Sequence, residues 1–109
     1  MQSNELVKLI ETELDLRKGE HLVSLYVGDK TTITDYMVMV TATSARHAKS
    51  LSDYVVEKIK ALGLTPMGVE GAQGSDWVLL DLGDVIVHVM TGQAREFYQL
   101  EKLWSVKAD

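Results

Sequence analysis

Ser75 to Met90 reads SDWVLLDLGDVIVHVM, two runs of Val, Leu and Ile on either side of Gly83-Asp84. A glycine at the first position of a two-residue loop marks a type II′ turn, whose positive φ glycine takes without steric cost. The stretch predicts a β-hairpin. Side chains alternate faces with period two, so this loop sets Leu82 opposite Val85, Leu80 opposite Val87 and Val78 opposite Val89. That face is wholly aliphatic and must be packed by other elements, because a lone hairpin is marginal in water. The other face pairs Asp81 with Ile86, Leu79 with His88 and Trp77 with Met90. A core rarely takes such a mixture, so this face reads as a contact surface.

Upstream, Leu6, Ile10 and Leu14 recur every four residues, with Ser3 placed to cap and Gly19 placed as the C′ residue. They predict a helix over Asn4 to Lys18. From Glu20 to Val27 the period changes to two, which predicts a strand. The run Tyr36 to Val40 is almost continuously apolar, as in a strand buried on both faces, and reads as the central strand of the sheet. Ser44 precedes the clearest helical pattern, a stripe of Ala48, Leu51, Val55, Ile59 and Leu62 that stops at Gly63-Leu64 before Pro66. Met67 to Glu70 reads as a short strand, and 71–75 as a loop. Thr91 caps a last helix with Phe97, Leu100 and Trp104 on one face. The order α-β-β-α-β-β-β-α implies an α/β (α+β) domain, a mixed sheet of about five strands with helices packed against it.

The 109 residues are 46% hydrophobic, enough for one core and too few for two, so the whole of 1–109 is expected to be a single domain. No apolar run approaches the roughly 20 residues of a bilayer span, and the N-terminus has no signal-peptide core. A cytoplasmic protein without membrane contact is expected. Zero cysteines exclude disulfides, thiol catalysis and thiolate metal sites. Eleven Lys and Arg against sixteen Asp and Glu give a net charge of −5, the wrong sign for holding nucleic acid through its phosphates. A basic protein partner fits better.

Candidate chemistry is sparse. Asp35, Asp76, Asp81 and Asp84 could form an acidic metal set, but no DxD or histidine spacing accompanies them, and strand and turn positions are ordinary places for Asp. TATSARH, Thr41 to His47, could hold an anion at a helix N-terminus, yet it lacks a glycine for close phosphate approach, so a plain N-cap is preferred. His21, His47 and His88 fall on three separate elements. No catalytic residue, metal site or cofactor is therefore assigned. The partner-binding set assigned instead is the mixed face of the hairpin, Trp77, Leu79, Asp81, Ile86, His88 and Met90, bordered by Leu82 and Tyr98, with Glu101 as an outlying acid.

The combination of Thr41, Thr43, Ser44, Arg46 and His47 with GVEG (Gly68 to Gly71), DWVLLDLGDVIVHVM (Asp76 to Met90) and YQLEKLW (Tyr98 to Trp104) resembles the bacterial ribosomal silencing factors, the Iojap or RsfS family. ITDYMVMVTATS, Ile33 to Ser44, is similar to the family's strand segment as well, so the likeness covers essentially the whole chain. It implies a protein that binds the large ribosomal subunit on the universal L-fourteen ribosomal protein, obstructs joining of the small subunit and lowers translation when nutrients are scarce. It leaves a homodimer off the ribosome open. It also implies a nucleotidyltransferase-like scaffold. Asp35 has no second Asp two residues away, so the resemblance implies a scaffold retained with its chemistry lost; the alternative reading is a residual nucleotidyl-transferring enzyme using Asp35 and the Thr41 to His47 turn.

Overall fold

The computed structural model describes residues 2–71, 75–100 and 102. Along the chain run α1 (Ser3–Leu16), β1 (Glu20–Tyr26), β2 (Tyr36–Ala42), α2 (Ala45–Ala61), β3 (Gly68–Glu70), β4 (Trp77–Asp81), β5 (Val85–Thr91) and α3 (Gly92–Tyr98). The strands form one mixed sheet in the order β1-β2-β5-β4-β3, in which β2 and β5 run parallel and the other neighbours antiparallel. The α+β architecture follows the order expected from the patterning. The centre of the sheet is β5 and not β2, because the parallel crossover from β2 passes through α2 and the β3-β4 hairpin before β5 inserts beside it. Hydrophobicity alone cannot separate the two, since both strands are nearly continuous apolar runs buried on both faces.

The hairpin forms in the expected register, with Trp77 opposite Met90, Leu79 opposite His88 and Asp81 opposite Ile86. Gly83 alone in the loop carries a positive φ, +86°, and the Leu82 N–H donates to the Val85 carbonyl at 2.9 Å. The aliphatic face of β4 and β5, together with Val38, Val40 and Ala42 of β2, is covered by α1 and α2 in one continuous core. Leu6, Val7, Ile10 and Leu14 come from α1, and Ala48, Leu51, Val55 and Ile59 from α2. Leu62, expected at the end of that stripe, is exposed, because it is the C-cap and the helix no longer carries it onto the sheet.

The helix ends show what residue type can and cannot announce. Ser44 caps α2 as expected, accepting from the His47 N–H at 3.0 Å, and the helix closes with Gly63 in the left-handed region and Leu64 N–H donating to the Ile59 carbonyl. In α1 the N-cap is Gln2 rather than Ser3, and Glu5 reaches back to accept from the Gln2 N–H. The C′ residue of α1 is Lys18, at φ +66°, not Gly19. Gly19 is required one step later. A Cβ there would lie 2.6 Å from Val40 Cγ2, so glycine lets the chain turn tightly onto β2, while its N–H closes the helix on the Leu14 carbonyl at 2.8 Å.

No helix among the described residues is long and apolar enough to cross a membrane. Among the described helices α3 is the one on the face of the sheet opposite α1 and α2, and this placement governs the candidate site.

Candidate functional site

Thr91 ends β5 and begins α3, its Oγ1 accepting from the Ala94 N–H at 3.3 Å. The chain thus folds back at once over the second face of the sheet. Ala94 is buried against that face, and Arg95 ties the helix down by donating to Thr41 Oγ1 at 2.9 Å and to the His21 carbonyl. The latter bond meets β1 where its pairing with β2 is irregular and His21 adopts φ +49°. Seven residues complete the helix. Gln99 then enters the left-handed region at φ +50°, so Phe97 and Leu100 do not continue one helical stripe.

This placement corrects the reading of the mixed face as wholly free. Met90, Ile86 and His88 are buried within the chain, and Val27, Met37 and Met39 form a second small core on the same side, with Leu25 and Leu100 packed against it. The face is core at its centre and surface at its margin. Trp77, Leu79 and Asp81 stay half-buried along β4. Leu82 belongs to the other side, packed against the α1-α2 core in a cleft with Leu6, Ile59 and Leu64. Glu101 and Trp104 lie outside the described residues.

Three of the expected residues are joined by direct contacts. The Trp77 indole Nε1–H donates to His88 Nδ1 at 3.0 Å, and the Trp77 ring packs against Tyr98 in a tilted contact, with centroids 4.7 Å apart and planes at 49°. Because Nδ1 accepts, the imidazole proton sits on Nε2, which is buried and has no hydrogen-bond partner among the described residues. Burial lowers the His88 pKa from 6.5 to about 4, so the ring is neutral at physiological pH and acts as a fixed acceptor for the indole. Asp81 has a structural duty as well. Its carboxylate accepts from the Gly83 N–H at 2.9 Å and so stabilises the hairpin loop.

Phe97, expected on one face of the last helix with Leu100 and Trp104 and absent from the partner-binding set, is 79% exposed and meets Tyr98 edge-on, with centroids 5.0 Å apart. Trp77, Tyr98 and Phe97 therefore make a continuous aromatic cluster that opens to solvent beside Asp76. Nothing in residue type announces this, since the left-handed break falls on a glutamine and not on a glycine or asparagine.

The segment Thr41 to His47 is tied into the scaffold at the start of α2. His47 Nδ1 accepts from the Thr43 N–H at 2.9 Å and its Nε2 donates to the Arg17 carbonyl at 3.0 Å, linking the start of α2 to the end of α1. Arg17 lies over the Tyr54 ring at 3.8 Å and strengthens the same junction. Among the described residues, no three His, Asp or Glu side chains converge as a metal ion would need.

Comparison with known proteins adds a consistent set of likenesses. The family model described as "Ribosomal silencing factor during starvation" matches residues 1–109. A ribosomal silencing factor of Haemophilus influenzae is 42% identical over 100 residues, covering 92% of this chain and 98% of that protein. A crystal structure of a Chromobacterium violaceum protein superposes with a TM-score of 0.94 at 35% identity, over 100% of this chain and 91% of the other. A mouse protein named for mitochondrial assembly of the ribosomal large subunit is 36% identical over 78 residues, which span 69% of this chain and 34% of that one.

Proposed function

The chain belongs to the family of ribosomal silencing factors, and from that premise we propose that it binds the large ribosomal subunit through the universal L-fourteen ribosomal protein and blocks joining of the small subunit. The observation that carries the partner reading is the aromatic cluster of Trp77, Phe97 and Tyr98, left open at the margin of a face whose centre is already core. Aromatic side chains flanked by acids are the composition of a protein-binding surface, with apolar anchors for affinity and peripheral charge for steering. A net charge of −5 suits a basic ribosomal protein and opposes direct binding to RNA. The name of the mouse relative supports a large-subunit partner.

Occupancy suffices for inhibition. The molecule measures 39 × 34 × 22 Å, so a bound copy obstructs any body that must approach the same surface. No catalytic step is needed, and the site of action is the cytoplasm, where subunits join. The test is sedimentation with isolated large subunits, with ribosomal RNA alone as control, followed by addition of small subunits. The protein is expected to pellet with large subunits, not with RNA, and to reduce joining in proportion to occupancy. Unchanged joining at saturating occupancy would overturn the proposal.

A further inference from the structure

We propose that the open pocket of about 470 Å³ beside Trp77, Phe97 and Tyr98 is a receptor for one arginine side chain of the basic partner, with Asp76 as its counter-ion. This rests on the partner reading above and specifies the chemical group that the face receives.

Three aromatic rings and one carboxylate meet at this pocket, and no cationic side chain lines it among the described residues. Each ring face carries negative quadrupole potential, so the site attracts a cation before any contact is made. Asp76 is exposed, and its carboxylate has no hydrogen-bond or ion-pair partner among the described residues. An apolar side chain seated here would desolvate that carboxylate without compensation. A cation removes the difficulty. Arginine fits better than lysine because its guanidinium is planar, weakly hydrated and stacks on aromatic faces while its edge donates to a carboxylate. The Trp77 ring is held for this role by its bond to His88 and its tilted contact with Tyr98, so little freedom is lost on binding. A second copy of the chain is a poor donor. Of its three arginines, Arg17 lies over Tyr54 and Arg95 is bound to Thr41, which leaves Arg46 on an otherwise acidic chain.

The decisive measurement is the dissociation constant for isolated large subunits of the wild-type chain, Asp76→Asn, Phe97→Leu and the distant control Asp29→Asn. Phe97→Leu keeps most of the apolar area but removes the ring. The arginine receptor predicts weakening of about tenfold for Asp76→Asn and about fivefold for Phe97→Leu, with the control within about twofold. Both variants binding like wild type would overturn the receptor while leaving the proposed function standing. Failure of the wild-type chain to bind large subunits sinks that function instead, and the pocket is then decided on the free protein. Titration with N-acetyl-arginine amide should shift the Trp77 indole N–H resonance saturably, and N-acetyl-citrulline amide, its neutral isostere, should not. An equal response to both, no response to the arginine derivative, or a response unchanged in Asp76→Asn overturns the receptor.

Discussion

His88 sits where the core meets the proposed contact face, and its titration links the two. Its folded pKa, about 4, lies below the unfolded value of 6.5, so between these values the unfolded chain binds more protons. The stabilisation is complete above pH 6.5 and is lost as pH falls toward 4, to a total of about 3 kcal/mol. Urea unfolding of wild type and His88→Gln at pH 7 and pH 4.5 should show a smaller loss in the variant, whose amide oxygen still accepts from the indole. Equal losses would show that carboxylates alone set the acid limb. Trp77 couples to the same point. Trp77→Ala removes the anchor and leaves His88 Nδ1 without its donor, so it should weaken binding about 30-fold and also lower stability by about 1 to 3 kcal/mol. Trp77→Phe retains a ring against Tyr98 and should recover most of the binding but not all of the stability. Circular dichroism and sedimentation on the same samples separate the two effects. Asp81 is a less clean probe than the register alone suggested, because replacing it also strips the hairpin loop of the acceptor for Gly83 N–H.

At the scale of elements, α2 is the main lid of the aliphatic face, and its buried stripe needs no partner outside the chain. Leu51 and Val55 are 0% and 1% exposed. Leu51→Ala should destabilise by about 2 to 4 kcal/mol and Val55→Ala by about 1 to 3 kcal/mol, read as a shift in urea midpoint at unchanged slope. Large-subunit binding by the folded fraction should not change, since the stripe faces away from the hairpin's mixed side. The third helix is the opposite case. It is short, it is anchored by Thr91 and Arg95, and it covers only part of its face, so its own propensity contributes little and its docking decides what remains exposed. Thr91→Ala, which removes the cap, should therefore cost about 1 kcal/mol of stability and alter binding more than any substitution in α2. Equal binding in Thr91→Ala and wild type would separate the position of α3 from recognition.

For the molecule as a whole, the proposed function has an acidic surface meet a basic partner, and that charge complementarity would set the kinetics of encounter. Raising ionic strength should slow association much more than it speeds dissociation, which stopped-flow mixing with large subunits can measure. The reverse pattern would indicate desolvated charge pairs as the main source of affinity, as the arginine receptor contributes only one. What the chain's sequence determined on its own is the set of local interactions: the hairpin and its register, the caps at Ser44, Thr91 and Gly63, the apolar stripe of α2, and the family, because each depends on residues a few positions apart or on long contiguous motifs. Tertiary structure decided the rest. Whether β2 or β5 lies at the centre depends on a crossover between two equally apolar strands, which no local pattern distinguishes. Whether His88 and Met90 are contact or core, and whether Phe97 is core or contact, depends on where α3 comes to rest over the sheet and on a left-handed glutamine that ends it. Period two in a strand says which side chains share a face, but burial of that face is a property of what packs against it.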